Sequence, residues 1–148
     1  MNVYLGSDHA GFYLKETVFA HLSKLGYDVE DVGDKTLDPA DDYPQFAFAV
    51  TTKVLGDTAD AKGILLCGSG QGMCMAANRV RGIRAAVVWD KTVARETRND
   101  NDSNVLCVPA RLLDEADALA IIDTWLETPF SGAARHARRI KEIEELYG

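Results

Sequence analysis

The sequence contains no long hydrophobic run, although 47% of its residues are apolar. No window approaches the ~18 uninterrupted apolar residues of a transmembrane helix. Met1 leads directly into the strand-like segment NVYLG, without the basic start and apolar stretch of a signal peptide. These absences argue against a membrane-bound protein and predict a cytoplasmic location.

Cysteine and histidine are scarce, with three of each in 148 residues. An odd number of cysteines without a CxxC pair argues against a disulfide framework and against a zinc or redox motif. The histidines are too far apart in sequence for ligand spacing. They are His9, His21 and His136, and the cysteines are Cys67, Cys74 and Cys107. We therefore expect a reduced protein without a metal site or a cofactor.

Basic residues are outnumbered, because 16 Lys and Arg stand against 23 Asp and Glu and give a net charge of −7. A general nucleic-acid binder is normally basic overall, so nucleic acid is not an expected partner. A chain of 148 residues is also too short for a dinucleotide-binding domain plus a catalytic domain, or for an eight-stranded α/β barrel. We expect one domain over residues 1–148.

Short apolar runs alternate with longer amphipathic stretches along the whole chain. The runs at 63–67 and 85–89 are almost continuously apolar, which is typical of parallel strands covered on both faces. The pattern predicts strands at 2–6, 27–32, 61–67, 83–89 and 105–108. It predicts helices at 11–25, 43–55, 70–78, 92–98 and 115–126, and a last helix at about 130–147. The predicted fold is a single α/β domain with a five-stranded parallel sheet.

The last predicted helix has no strand after it, and its first turns are basic in a protein that is acidic overall. Arg135 and Arg139 are four residues apart and therefore neighbours on one helix face, where two guanidinium groups suit a phosphate. A second interpretation is a solvated basic face that is balanced by the glutamates further along the helix. The residues alone leave both open.

Polar and glycine residues concentrate where the predicted strands end, which is where doubly wound sheets bind ligands. The segment GSDHAG follows the first strand, CGSGQGM the third, Asp90 the fourth, and NDNDSN the fourth helix. Glycine at 68, 70 and 72 lets the backbone approach a ligand, and a helix start offers free N–H groups to an anion. The pattern is GxGxG and not a dinucleotide fingerprint, so nucleotide binding with Asp90 on a ribose is the weaker interpretation.

Cys67 is the sharpest candidate for chemistry. A thiol at a strand end, just before glycine-rich N–H groups and a helix, is in a setting that favours the thiolate. It could act as a nucleophile or as a carbon-acid base, although a plain buried cysteine is the alternative. Cys74 and Cys107 fall inside a helix and a strand and are predicted to be structural. His9 suits a ligand or a helix cap equally well, and His21 is predicted to be a surface residue.

Eight ordered segments are typical of one family. They are SDHAG at 7–11, DYP at 42–44, LCGSGQGM at 66–73, AAN at 76–78, GIRAA at 82–86, NDSNVL at 101–106, AR at 110–111 and RHARR at 135–139. The chain resembles the type B ribose-5-phosphate isomerases, which include the galactose-6-phosphate isomerase subunits, over essentially its full length. The resemblance implies a Rossmann-like α/β/α sandwich and an aldose–ketose phosphate isomerase that works by enediol proton transfer without a metal. It also implies a homodimer or dimer of dimers, in which the last helix of one chain completes the partner's site.

The resemblance further implies the roles of individual residues in binding a small phosphorylated sugar. Cys67 matches the base that moves a proton between C1 and C2. The loop whose N–H groups stabilise the enediolate oxygen is matched by Gly68, Ser69, Gly70, Gln71 and Gly72. Residues that hold the sugar are matched by Asp8 and Tyr43, and a further contact to the enediolate end is matched by Asn101. Phosphate-side residues are matched by His9 and Arg111 in one subunit and by Arg135 and Arg139 in its partner.

The chain departs from the family at the residue that opens the sugar ring. The usual pattern is RxHNDxN, whereas residues 98–104 read RNDNDSN and place Asp100 at the histidine position. A carboxylate is normally ionised near neutral pH and is then a poor proton donor. Either Asp100 stays protonated or recruits a water and opens the ring, or the substrate has no ring, as in a tetrose phosphate. Loss of activity, leaving a binding module, and an obligate subunit of a hetero-oligomeric hexose-6-phosphate isomerase are the further alternatives.

Overall fold

A computed structural model of the chain, which describes residues 1–58 and 60–147, has a five-stranded sheet surrounded by helices. The strands are β1 (Asn2–Ser7), β2 (Asp28–Asp31), β3 (Ala61–Cys67), β4 (Ala85–Val87) and β5 (Val105–Pro109). The helices are α1 (Phe12–Lys24), α2 (Tyr43–Gly56), α3 (Gln71–Ala77), α4 (Lys91–Asn101), α5 (Glu115–Glu127) and α6 (Ala134–Tyr147), and a short 3₁₀ turn spans His9–Gly11. No helix in the described ranges is long and apolar enough to cross a membrane.

The sheet has the strand order β2-β1-β3-β5-β4, and all its neighbouring strands are parallel. β3 is central and every one of its seven residues is buried. The chain moves outward from β1 to β2 and then returns to place β3 on the other side of β1. A crevice for a ligand is expected at such a reversal, beyond the carboxyl ends of β1 and β3.

Two apolar clusters cover the two faces of the sheet, as the almost continuously apolar strands predict. Successive side chains of a strand point to opposite faces. Ile64 and Leu66 of β3 accordingly pack in the cluster that includes the buried Trp125 of α5. Leu65 and Cys67 pack in the cluster under α2 and α3. The pleat of β3 therefore directs Cys67 towards α2 and α3.

The predicted alternation of strands and helices is confirmed, with several changed boundaries. β4 has three residues where seven are predicted, because it is an edge strand that pairs only with β5. Gly70 precedes α3 and does not begin it, since its φ of +75° is left-handed. His21 was predicted to be a plain surface residue; it is half-buried, and its Nε2 lies 2.8 Å from Asp123, so it links α1 to α5.

The end of α4 differs most from the prediction. The helix continues to Asn101, whereas the sequence pattern ends it at 98 and leaves the next residues in a loop. Asp102 then takes a left-handed conformation with φ of +46°, and its carboxylate lies 2.8 Å from Arg98 one turn earlier. This ion pair and cap extend the helix, so Asp100 and Asn101 belong to its last turn.

α6 contacts the rest of the chain through a few polar groups near that end of α4. His136 Nε2 lies 3.4 Å from Asp100 Oδ1, and Arg84 Nη1 donates to Glu144 at 3.3 Å. Ile143 and Leu146 remain 56% and 72% exposed. The helix that the sequence leaves without a strand partner therefore keeps an uncovered apolar surface.

The approach of the 3₁₀ turn to the end of β3 can be tested by adding a methyl group. A Cβ at Gly11 would lie 2.3 Å from the Leu66 carbonyl oxygen, so the turn would have to move away from the strand. We expect Gly11→Ala to lower the free energy of unfolding in urea by about 2–3 kcal/mol. Gly56→Ala is the control, because nothing lies within 4 Å of its added Cβ. Equal effects of the two changes would contradict the packing described here.

Candidate active site

Cys67 lies at the carboxyl end of β3 and is 6% exposed. Its Cα is paired with that of Pro109 on β5, and its carbonyl accepts a hydrogen bond of 2.9 Å from the Ala110 N–H. The strand end is therefore held in place on the side of β5. The structure puts this thiol at the position that the sequence predicts, at the edge of the sheet where a ligand is expected.

The loop 68–72 that follows is shaped by three glycines with different surroundings. A Cβ at Gly68 would lie 3.1 Å from Arg111 Nη1, and one at Gly72 only 2.6 Å from the ring of Tyr43. Gly70 supplies the left-handed turn into α3. Tyr43 and Arg111 thus reach the loop from α2 and from the segment after β5, and they approach it closely only because side chains are missing there.

The remaining residues of this loop are available to a ligand. Ser69 and Gln71 are exposed. The Gln71 N–H donates a long hydrogen bond of 3.4 Å to Ser69 Oγ. The Arg111 N–H donates to the Gly68 carbonyl at 3.0 Å, which fixes the backbone from which the arginine extends. A hydroxyl, backbone N–H groups and a guanidinium therefore lie next to the Cys67 strand end.

Asp8 directly follows β1, the strand that pairs with β3. Its carboxylate accepts hydrogen bonds from the Ala10 and Gly11 N–H groups at 3.0 and 3.2 Å and so caps the 3₁₀ turn. Burial raises the pKa of Asp8, and these hydrogen bonds oppose the rise without cancelling it. The residue predicted to hold a sugar is therefore a buried carboxyl group whose position is set by the turn.

His9 is partly exposed and makes a contact that sequence reasoning missed. Its Nδ1 lies 2.6 Å from Oδ1 of Asp41, a residue of the loop between β2 and α2. The hydrogen bond to Asp41 raises the pKa of His9, and the nearby Arg111 lowers it. The only sequence signal for Asp41 is its place in the acidic segment DDYP just before α2.

Ten of the predicted site residues and one new residue thus meet at one edge of the sheet. This carboxyl-end cluster consists of Asp8, His9, Asp41, Tyr43, Cys67, Ser69, Gln71, Arg111 and the glycines at 68, 70 and 72.

Asp100 and Asn101 lie at the opposite edge of the sheet. α4 runs back from the end of β4, and the segment after it binds the beginnings of the strands: the Asn104 N–H donates to Arg84 just before β4, and the Asn104 carbonyl accepts from Gly63 in β3. Cys67 lies four residues after Gly63, which is about 13 Å along the strand at ~3.3 Å per residue. A single chain does not bring Asp100 and Asn101 to the carboxyl-end cluster.

The arginines of α6 lie near Asp100 and Asn101. We call these four residues, Asp100, Asn101, Arg135 and Arg139, the amino-end group. A cavity of about 530 Å³ is lined by Asp100, Asn101, His136 and Arg139, and none of its lining residues belongs to the carboxyl-end cluster. Arg135 is exposed one residue before His136. The candidate residues of one chain therefore form two groups at opposite ends of the sheet.

The other cysteines lie in the apolar cluster between the sheet and the helices α2 and α3. Cys107 is fully buried in β5, and burial raises the pKa of its thiol well above the usual value. Cys74 Sγ contacts the Ala85 carbonyl oxygen at 3.4 Å. Both positions agree with the structural role predicted for them. Within residues 1–58 and 60–147, no three His, Cys, Asp or Glu side chains come together in a way that could hold a metal ion.

Comparison with known proteins identifies the family. The family model described as Ribose/Galactose Isomerase matches residues 3–143. The chain belongs to this family. Ribose-5-phosphate isomerase B of Mycolicibacterium paratuberculosis is 44% identical over 145 residues, which are 98% of this chain and 91% of that protein.

Solved structures of family members confirm the predicted Rossmann-like α/β fold. The ribose-5-phosphate isomerase B of Mycoplasma genitalium, solved with bound ribulose-5-phosphate, is 40% identical, with a TM-score of 0.94 over 98% of this chain and 95% of that one. The enzyme from Thermotoga maritima is 46% identical, with a TM-score of 0.92 over 97% of both chains. These matches also confirm the predicted class, an aldose–ketose isomerase of sugar phosphates.

Proposed function

We propose that this isomerase interconverts ribose 5-phosphate and ribulose 5-phosphate, with Cys67 as the base. The observation that carries the proposal is the position of the thiol at the β3 end, beside the glycine loop and the side chains that reach it. The relatives named above carry this activity in their names, and one of them holds ribulose-5-phosphate. The purified single chain is expected to be active, in contrast to an obligate partner subunit or a binding module.

The chemistry needs one base and a site for an oxyanion. The Cys67 thiolate takes the proton from C2 of the open aldose, and the electron pair of that C–H bond forms the C1–C2 double bond of an enediolate. The negative charge on O1 is stabilised by Ser69 and the loop N–H groups, and preorganised donors of this kind are worth about 3 kcal/mol each. The thiol then returns the proton to C1, and a proton passes from the hydroxyl at C2 to O1, which leaves the ketose.

Both groups of residues contribute contacts to the sugar and its phosphate. Asp8 and Tyr43 hold the hydroxyl groups of the sugar, while His9 and Arg111 bind the phosphate from the same chain. Arg135 and Arg139, on one face of α6, bind it from the other side, since guanidinium groups match phosphate oxygens in pairs. Asn101 contacts the enediolate end.

A second copy of the chain supplies Asn101, Asp100 and the α6 arginines, so the proposed enzyme is a homodimer with two shared sites, alone or paired with another dimer. Two observations support this assembly. The amino-end group lies at the far edge of its own sheet, and α6 presents the exposed Ile143 and Leu146. The three free thiols fit a reducing compartment, and we place the enzyme in the cytoplasm.

A tetrose phosphate is the second candidate substrate, and Asp100 favours it. A four-carbon sugar that is phosphorylated on its terminal oxygen cannot close a five-membered ring and needs no ring opener. The Asp100 side chain is 40% exposed, and its Oδ1 lies 3.4 Å from Nε2 of the buried His136.

Ribose 5-phosphate reaches the enzyme mostly as a ring, which must open before isomerisation. For this substrate we assign ring opening to Asp100, which acts directly or through a water.

The role of Cys67 can be tested by solvent exchange. We expect Cys67→Ala to bind ribose 5-phosphate but to lose isomerisation by about 10³-fold or more, together with deuterium incorporation at the reacting carbon, because no other group takes the proton. Cys74→Ala is the matched control and should retain activity within about threefold, since its thiol packs under the sheet. Deuterium exchange that persists in Cys67→Ala, followed by NMR, would contradict the assignment.

The substrate can be decided with cyclic and acyclic sugars. We expect kcat/KM to be higher for ribose 5-phosphate than for erythrose 4-phosphate. Asp100→Asn should lower turnover of ribose 5-phosphate by about tenfold or more and leave the tetrose reaction unchanged, because only the pentose has a ring to open. Preference for the tetrose, with an equal response of both sugars to Asp100→Asn, would instead identify a tetrose phosphate isomerase.

A further inference from the structure

The contact between His9 and Asp41 leaves one ring nitrogen of the histidine for a ligand. The Asp41 side chain is only 3% exposed, and its Oδ1 lies 2.6 Å from Nδ1 of His9, whose own side chain is 33% exposed. A hydrogen bond at one imidazole nitrogen determines the proton position and orientation of the ring. With Nδ1–H donated to the carboxylate, Nε2 is the nitrogen that can meet a ligand.

Asp41 is held independently of His9. The Asp41 N–H donates to the Asp38 carbonyl at 3.2 Å and closes a turn just before α2. The buried Lys15 of α1 holds the start of the same loop: its Nζ lies 2.8 Å from the carboxylate of Asp31, at the end of β2, and donates to the Asp34 carbonyl. The start of the loop is therefore anchored to α1, and a turn at its end holds the backbone of Asp41.

Three charged groups change the pKa of His9, two of them upward and one downward. The hydrogen bond to Asp41 is the largest influence and, with the charges of Asp41 and Asp8, raises the pKa of His9. Loss of hydration and the positive charge of Arg111 lower it, but the net direction is upward. A histidine with a raised pKa keeps its positive charge at a higher pH than a free imidazole does.

The second carboxylate oxygen of Asp41 indicates which charge state of His9 the pair favours. Oδ2 is buried and has no hydrogen-bond partner among the described residues. A buried carboxylate of this kind is costly unless a positive charge lies beside it. The imidazolium of His9 is the positive charge that Asp41 contacts, so the pair is more stable with His9 protonated.

We propose that Asp41 is a positioning residue for the substrate phosphate: it orients His9 and keeps it cationic, so that Nε2–H donates to a phosphate oxygen. The proposal rests on the proposed function, in which His9 and Arg111 lie on the phosphate side. Asp41 does not touch the phosphate and acts only through the histidine.

The test measures binding of inorganic phosphate by calorimetry, and kcat and KM for ribose 5-phosphate, between about pH 5.5 and pH 9. Asp41→Asn keeps the shape of the side chain and removes its charge. Because Asp41 raises the pKa of His9, there is a pH range in which His9 is charged beside the intact Asp41 but neutral in Asp41→Asn. In that range we expect phosphate binding to weaken and KM to rise by about tenfold. The difference should shrink at lower pH, where both proteins have a protonated His9, and at higher pH, where both have a neutral one. The value of kcat should change less than KM.

Two controls separate this role from a structural one. Asp42→Asn removes the same charge one residue away, from an exposed side chain that does not cap α2, and should leave phosphate binding within about twofold at every pH. In a His9→Asn background, Asp41→Asn should cause no further pH-dependent loss.

Several results would overturn the proposal. They are a loss that does not vary with pH, an equal loss in the His9→Asn background, or no phosphate binding by the unaltered protein. An NMR titration of the unaltered protein that places the pKa of His9 at or below that of a free imidazole would do so without any variant. If ribose 5-phosphate is not turned over, the proposed function fails, while the phosphate titrations still decide the role of Asp41.

Discussion

The parallel arrangement of the strands determines where every functional group of this chain lies. Parallel strands end at a common edge, and each connecting helix must return to the other edge before the next strand begins. Cys67 and the residues after β1 and β3 therefore meet at one edge. Asp100 and Asn101, at the end of a returning helix, are carried to the opposite one. The proposed sharing of a site between two chains rests on this constraint and on the uncovered surface of α6.

The electrostatics of the proposed site are local and opposite to the charge of the whole protein. A net charge of −7 would repel a sugar phosphate at long range, so a few cationic groups must provide the attraction. Arg111 and His9 lie near each other after different strands, and the α6 arginines share one helix face. Asp41 adds a negative charge next to His9, but it is buried against the ring and favours the positive form of the histidine.

Much of this organisation is predictable from the sequence, because it depends on patterns along the chain. Apolar runs predict the strands, and the glycines at 68, 70 and 72 predict a loop whose backbone a ligand can approach. In the structure the side chains of Arg111 and Tyr43 come close to this loop, which the glycine pattern does not predict. The Asp41–His9 contact joins residues 32 positions apart, and neither the loop conformation nor its anchoring by Lys15 is visible in a local pattern. The last turn of α4 was missed for a similar reason, since the Arg98–Asp102 ion pair and a left-handed cap extend the helix past the end of its apolar pattern.

The division of one site between two chains is the central claim, and mixed dimers test it most directly. Cys67→Ala damages the carboxyl-end cluster, and Arg139→Ala damages the amino-end group. In a dimer with one chain of each kind, one site carries both changes and the other carries neither. Refolding equal amounts of the two variants together should therefore bring the activity towards ribose 5-phosphate to at least about a quarter of the unaltered value, since half of the dimers are mixed and each has one intact site. Activity that never exceeds the sum of the separate variants, although mixed dimers have formed, would contradict the account.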